Sequence, residues 1–490
     1  MIDRERSVGW VFKNGVLESG TMAVESDVTL LYIVAGYLAV MLGVGVWAYG
    51  QTNTAEDFMV AGRSLGTAVI AGTLLATWMG SGTVTGGANS VAYDNGLIPA
   101  ILFGTAALIG IGILKALAPR IRGFDKLTIP EMIEAELGKE GRIISLLVIA
   151  FAYVGIVSYQ FIGLGYVLNV TTGIPVSQGT LIGTAVIIAL AAMGGLMSVA
   201  YTDAISAFLM LVGLVIAVPF VVLEAGGWSG ITASVPETHL DVLGDLSALE
   251  FFALWAPPLL LILADQNMYQ RIIAGETDEG TDAGLVAWFV GVVATMTLVP
   301  IIAFASRAMF PDLDPGMALI ATTTELPTWV GGILLAAAAA FIITTGSSYL
   351  LSACTNLSQD LYKGLINPDA SDQQVFWLTR AFVVVLGIFA FVLGQEFPTI
   401  LEVQMYSYTA YGAAITPALL AIFLMRERLT KLGGLTGMIV GALLAITWDT
   451  VLASPYGLDA VIVAAPIAGL LIVLVSTLTD GESAPRPSQA

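Results

Sequence analysis

The stretch GTLLATWMGSGTVTGGANSVAY, Gly72–Tyr93, begins as a membrane helix and then stops behaving as one. It is apolar up to Met79, after which glycine falls at 80, 82, 86 and 87 among serine and threonine. Glycine weakens a helix because it gives up the most backbone freedom on ordering. Inside hydrocarbon, a peptide group freed from a helix finds no water, so such a break survives only where protein buries it or where it lines a cavity. A second stretch, LWAPPLLLILADQNMYQR (Leu254–Arg271), repeats the theme, with Pro257 and Pro258 followed by Asp265, Gln266 and Asn267.

Working outward, the 490 residues are 57% hydrophobic and 11% charged, with a mean hydropathy of +0.88, far more apolar than a soluble domain. Runs long enough to cross a bilayer recur from Val28 to Thr477, and thirteen spans are expected. The two interrupted spans lie five apart. Corresponding breaks in two halves of a chain point to an inverted-repeat secondary transporter with its site near the midplane. An odd span count puts the termini on opposite sides, and the basic residues choose the orientation. With the amino terminus outside, 14 basic residues face the cytoplasm, among them Arg120, Arg122, Arg271, Lys363, Arg426 and Lys431, and 4 face out. The segment before Val28 lacks the apolar core of a cleavable signal peptide.

The net charge is −19, with 37 acidic against 18 basic residues, of which six are lysines. An acidic, lysine-poor surface stays hydrated at high salt, so the expected setting is the cell membrane of a salt-adapted prokaryote, and nucleic-acid binding is disfavoured. Cys354 and His239 are the only residues of their kinds. No intramolecular disulfide, zinc cluster or histidine-based catalytic set can be built from them, so no enzyme is expected. Cys354 reads as a small core residue and His239, in an outer loop, as solvated. TIPEMIEAEL (Thr128–Leu137), with its Thr128 cap and Pro130, reads as a short helix on the cytoplasmic surface.

A third stretch, AFIITTGSSYLLSA (Ala340–Ala353), sets four hydroxyls into an apolar run. Phe341, Thr344 and Thr345 are spaced i, i+3, i+4 and share one helix face. Hard oxygen ligands suit a hard cation, and carbonyls freed by unwinding need a partner.

Five segments, EDFMVAGRSLG (Glu56–Gly66), GGANSVAYDNGL (Gly86–Leu97), GGLMSVAYTDAISAFLMLVG (Gly194–Gly213), DQNMYQR (Asp265–Arg271) and SSYLLSACTNLSQDLYK (Ser347–Lys363), occur in an order that resembles the sodium:solute symporter family. The resemblance implies an all-α membrane protein with a five-plus-five inverted-repeat core. Its parts would be an outer segment 1–27, an additional helix 28–49, repeats 65–224 and 247–425, two further helices 431–478 and a cytoplasmic tail 479–490. It implies a sodium ion held by the carbonyls of Ala76, Met79 and Phe341 and the hydroxyls of Thr344 and Thr345. A second sodium would use Asp203, Thr344, Ser347 and Ser348, although Asp203 also reads as a helix-start acid favoured by the dipole. Trp78, Ser81, Thr85, Asp265, Gln266 and Asn267 would line the solute site, with Asp265 equally readable as a buried acid satisfied by backbone amides. Tyr406, Ser407, Tyr408 and Tyr411 would supply the outer gate or simple packing. The expected activity is sodium-driven uptake of a small organic solute, whether amino acid, sugar, carboxylate or vitamin. A proton-coupled carrier, or a sensor or channel on the same fold, is the alternative.

Overall fold

The computed structural model describes residues 26–49, 60–124, 126–193 and 196–479; the segment before residue 26 and the tail from residue 480 lie outside them. Nineteen helices carry the argument, in chain order: α1 Val28–Tyr49, α2 Thr67–Trp78, α3 Ser81–Val84, α4 Gly87–Asn95, α5 Leu97–Gly123, α6 Ile129–Thr172, α7 Val176–Met193, α8 Leu196–Glu224 and α9 Gly227–Ser234. They continue as α10 Ala248–Ala264, α11 Gln266–Ile273, α12 Asp278–Met309, α13 Ala318–Thr322, α14 Thr328–Thr355, α15 Asp372–Gly394, α16 Ile400–Ala414, α17 Thr416–Leu424, α18 Lys431–Thr450 and α19 Ala460–Thr479. The strand-type pairing among the described residues is an isolated parallel bridge between Leu65 and Gly275.

Among the described residues, ten helices are long and apolar enough to cross a membrane, or eleven when the pair Thr67–Trp78 and Ser81–Asn95, bent by 60°, counts as one. α1 and α7 are apolar as well, over Val28–Val44 and Val176–Ala192. Large apolar side chains such as Phe208, Trp377 and Val385 lie on the outside of the bundle, where a soluble protein would place polar groups. Polar capping sets the helix starts: Ser247 with Glu250 and Ser371 with Gln374 form reciprocal capping boxes.

α14 sits at the centre. Every residue from Leu334 to Phe341 is buried, the signature of a helix with no face toward lipid or water. α2 lies against α8, and a Cβ added to Gly72 would come within 2.5 Å of the Ala204 Cα. That close approach fixes how near the broken helix comes to its neighbours.

The structure settles where three of the expected features lie. The interruption expected in Leu254–Arg271 falls at Asp265 (φ −65°, ψ 116°), and α10 runs through Pro257 and Pro258. The carbonyls above it find side-chain donors, Thr416 Oγ1 to Leu260 O at 2.6 Å and Tyr411 Oη to Ala264 O at 2.6 Å. TIPEMIEAEL forms the expected short helix, capped by Thr128, and the non-helical Gly138 (φ 75°, ψ −175°) sets it off from the long remainder of α6. Ile129, Met132, Ile133 and Leu137 are buried, and Arg142 ties it down through Glu134 at 2.6 Å and Asp360 at 2.8 Å.

One expectation is overturned: His239 is 3% exposed rather than solvated. Gly96 (φ 107°) brings the end of α4 against the His239 carbonyl, where a side chain has no room. Burial first, and then the Arg307 charge, hold the imidazole pKa below its usual 6.5. A base depressed in the folded state contributes stability that is complete above pH 6.5 and is lost as pH falls through that value toward the folded pKa. The unfolding midpoint is therefore expected to drop between about pH 7 and about pH 5, and His239→Gln to flatten that drop, as followed by thermal melts across the range.

Candidate functional site

α2 ends where the sequence changes character. Met79 N still bonds Leu75 O at 3.0 Å, but Gly80 turns out of the helix (φ −48°, ψ −156°). Ser81 N, which a continuous helix would aim at Thr77 O, donates to Gln160 Oε1 on α6 at 2.7 Å. Thr83 N bonds Gly80 O at 3.0 Å rather than Met79 O. Gly87 N, at the start of α4, donates to Gln404 Oε1 on α16 at 2.8 Å. Two glutamine side chains thus take the place of helical carbonyls, which is how a break stays satisfied in an apolar interior.

Thr345 on α14 meets this break directly. Its Oγ1 donates to Ala76 O at 3.0 Å, and a Cβ on Gly80 would sit 2.6 Å from three Thr345 atoms. Thr344 Oγ1 donates back to Phe341 O at 3.4 Å. Ala76, Phe341, Thr344 and Thr345 therefore come together, with Met79 at the break beside them. Neutral carbonyl and hydroxyl oxygens from an unwound segment and a facing helix fit a sodium ion.

Next to this group is a buried charge pair. Asp203 and Arg271 are both fully buried. Asp203 Oδ2 accepts from Thr73 Oγ1 at 2.7 Å, Thr77 Oγ1 at 3.2 Å and Arg271 Nη2 at 3.3 Å. Arg271 also donates through Nε to Thr73 Oγ1 at 2.8 Å and through Nη2 to Ser348 Oγ at 3.3 Å. Asp203 Oδ1 and Ser347 Oγ are buried without a hydrogen-bond partner. Asp203 lies seven residues beyond the first residue of α8, Leu196, so it is not the helix-start acid of the alternative reading. The arginine at the end of DQNMYQR, Thr73 and Thr77 are the members of this cluster that sequence reasoning missed.

The candidate solute residues separate. Trp78 stacks on Tyr408 with ring centroids 6.3 Å apart, and both line a small cavity with Phe103, Pro258, Met296 and Gln404. Ser81 and Thr85 are occupied with helix contacts: their hydroxyls bond each other, and Ser81 Oγ donates to Tyr159 O at 3.0 Å. Asp265 accepts from Tyr153 at 2.7 Å, from Tyr349, and from Asn267 N at 2.8 Å, so one backbone amide and two phenols satisfy it. Gln266 Nε2 donates to Asn356 Oδ1 at 2.8 Å. Asn267 faces a different crevice, with Arg271 and Ser348. Gln404 was missed as a lining residue; its signal is a lone amide at the second position of VQMYSYTAYGAA, Val403–Ala414.

The model of the sodium:solute symporter family matches residues 58–441. The chain belongs to that family. This symporter is 30% identical over 435 residues to a high-affinity proline transporter of Bacillus subtilis, covering 83% of this chain and 89% of the relative. It is 27% identical over 482 residues to a sodium/proline symporter of Haemophilus influenzae, covering 91% and 93%. Its fold matches that of a Na+-coupled sialic acid symporter solved in a substrate-bound outward-open state, with TM-score 0.77 and 21% identity over 94% of this chain and 99% of that one.

Within the symporter, the four α16 candidates have distinct surroundings. Tyr408 reaches the Trp78 cavity. Tyr411 is buried, stacks on Tyr153 at 5.6 Å and bonds Ala264 O. Tyr406 packs on Phe397 at 5.3 Å, and Ser407 Oγ bonds Val403 O at 2.7 Å.

Proposed function

We propose that the protein takes up a small zwitterionic amino acid of the proline type together with sodium, by alternating access through thirteen spans. The basic end of the bundle would face the cytoplasm. The observation that carries this reading is the bond from Thr345 Oγ1 to Ala76 O at the break of the second span. Ala76, Met79, Phe341, Thr344 and Thr345 would hold the ion. Bound sodium would supply inward driving force, about 2.3 kcal/mol per charge at 100 mV, or roughly fifty-fold accumulation of a neutral solute. The mostly apolar cavity around Trp78, Phe103, Met296 and Tyr408, with Gln404 as its amide, suits an uncharged ring. Proline transport by the two relatives supports the same class. Ordering of the break by sodium would raise solute affinity, and the reverse must hold equally.

Thermal unfolding as sodium replaces potassium at fixed ionic strength tests the ion site. Wild type is expected to show a saturable, sodium-specific rise in midpoint, by linkage between binding and folding, and Thr344→Ala/Thr345→Ala to lose it. Uptake of labelled L-proline into proteoliposomes under a sodium gradient then tests the solute, against a sugar and a quaternary amine. Identical melts in both salts would overturn the sodium assignment.

A further inference from the structure

α2 and α11 are the two half-helices that run from a break to the basic end of the bundle, and their far ends are tied together. Leu65 N, just before α2, donates to Ala274 O at 3.0 Å, and Glu276 N donates to Leu65 O at 3.1 Å. These backbone bonds make the parallel bridge between Leu65 and Gly275. Arg122, in the last turn of α5, clamps the same point. Its Nη1 donates to Ile272 O and Gly275 O at 2.9 Å each and to Thr281 Oγ1 at 3.2 Å, and its Nε pairs with Asp278 Oδ1 at 2.6 Å. The last carbonyls of a helix lack partners within it and carry the negative end of its dipole, so α11 itself holds the guanidinium. Asp278 opens α12, and one arginine therefore joins α5, α11 and α12. α12 lies in turn on the first turn of α2, where a Cβ on Gly284 would meet Ile70 Cγ2 at 2.7 Å and Thr67 O at 3.3 Å.

The same two half-helices meet α14 through contacts of another kind. Ala76 O of α2 accepts from Thr345 Oγ1 at 3.0 Å. On α11, Asn267 Oδ1 accepts from Ser352 Oγ at 2.7 Å, and Gln266 Nε2 donates to Asn356 Oδ1, just beyond the end of α14, at 2.8 Å. Arg271 bonds to both sides, Thr73 on α2 and Ser348 on α14, and so favours neither parting. Single neutral side-chain bonds are the weaker kind, and charge-assisted ones are about twice as strong. The two half-helices therefore leave α14 more readily than they leave each other.

We infer that Arg122 is a positioning residue that couples the two half-helices, so that sodium held at the break of α2 also keeps α11 shut against α14. This rests on the sodium reading above. The ion's ligands belong to α2, its cap Met79 and α14, and none lies on α11. The 12 residues of α2 carry the ion's hold about 18 Å down to Leu65, and the clamp passes it to the far end of α11. Without the clamp α11 opens toward the basic end while sodium stays bound, and the ion no longer governs the solute's exit.

The test reads closure of the crevice between α11 and α14, which Asn267, Ser352 and Thr355 help to line. Cys354→Ala removes the single cysteine. In that parent, the full chain in vesicles, Thr355→Cys reports how often α11 opens, through its rate of reaction with a membrane-impermeant maleimide applied at the basic end. Sodium in place of potassium at fixed ionic strength is expected to slow the reaction about fivefold to tenfold. Arg122→Gln is expected to abolish that protection while keeping the saturable, sodium-specific rise in melting midpoint. Arg122→Lys, which keeps a cation beside Asp278 and the α11 carbonyls, is expected to retain most of it.

An Arg122→Gln protein that melts lower yet keeps full protection makes the arginine a structural brace and overturns the coupling. If Arg122→Gln fails to fold, Asp278→Ala/Thr281→Val decides, because it removes both side-chain partners and spares the α11 carbonyls. It is expected to lose about half of the protection, and full protection there overturns the clamp. A sodium-stabilised parent with no protection overturns the coupling alone. A parent without sodium-specific stabilisation overturns the sodium reading, and the coupling with it.

Discussion

Replacing Asp265 by alanine is expected to lower the thermal midpoint of the purified protein by about 10 °C. The carboxylate is buried among three donors: the hydroxyls of Tyr153 and Tyr349 and the amide of Asn267. It also caps α11 at the point where α10 stops. Deleting it strands two phenols and a helix-start amide where no water reaches. Each stranded group costs about 1–3 kcal/mol, so about 3–5 kcal/mol in all follows even after some relaxation. Tyr153 also stacks on Tyr411, so the loss spreads to α16. Asp265→Asn keeps an acceptor oxygen in the same shape and is expected to lose less than half as much. Fluorimetric melts in detergent measure both, and an alanine variant within 2 °C of wild type would contradict this account.

Gly80→Ala is expected to shift the sodium-specific stabilisation to much higher sodium while leaving a folded protein. The added methyl would meet Thr345 Cβ, Cγ2 and Oγ1 at 2.6 Å, too close for real carbon contacts, so α14 and the break must move apart. Overpacking of this kind costs about 1–3 kcal/mol. Because the strain falls between Ala76 and Thr345, it appears as an apparent sodium affinity weakened about tenfold to a hundredfold. Gly66→Ala is the control, since nothing lies within 4 Å of a Cβ there. Sodium titrations followed by melting temperature separate the two. A Gly80→Ala protein with wild-type sodium response would remove the break from the ion site.

Much of this architecture is legible in the residues because bilayer physics leaves few options. Glycines at 80, 82, 86 and 87 can only mean a buried break, and the i, i+3, i+4 spacing of Phe341, Thr344 and Thr345 puts their oxygens on one face. What stayed hidden depends on tertiary neighbours. The second break is legible in Leu254–Arg271 but its place is not, because α10 runs through Pro257 and Pro258 to Asp265 while Thr416 and Tyr411 donate to its carbonyls from other helices. Arg271 reads as one more basic residue at a span end; its pairing with Asp203, 68 residues earlier in the chain, follows only once α8 and α11 are packed together. His239 looked solvated because polar outer loops usually are, and only the fit of Gly96 against it reveals the burial.

The glutamines at the break give the second span a joint whose pins are borrowed. Gln160 comes from α6 and Gln404 from α16, so the peptide groups of Ser81 and Gly87 are anchored to two different walls. Any excursion that parts those walls unfastens one pin before another can take its place. In a dry interior each bare peptide group costs several kcal/mol, so the joint turns only as fast as water can wet it. Turnover would then be paced by hydration at Ser81 and Gly87, and an apolar replacement of Gln160 would slow the cycle even where it left both ligand sites intact.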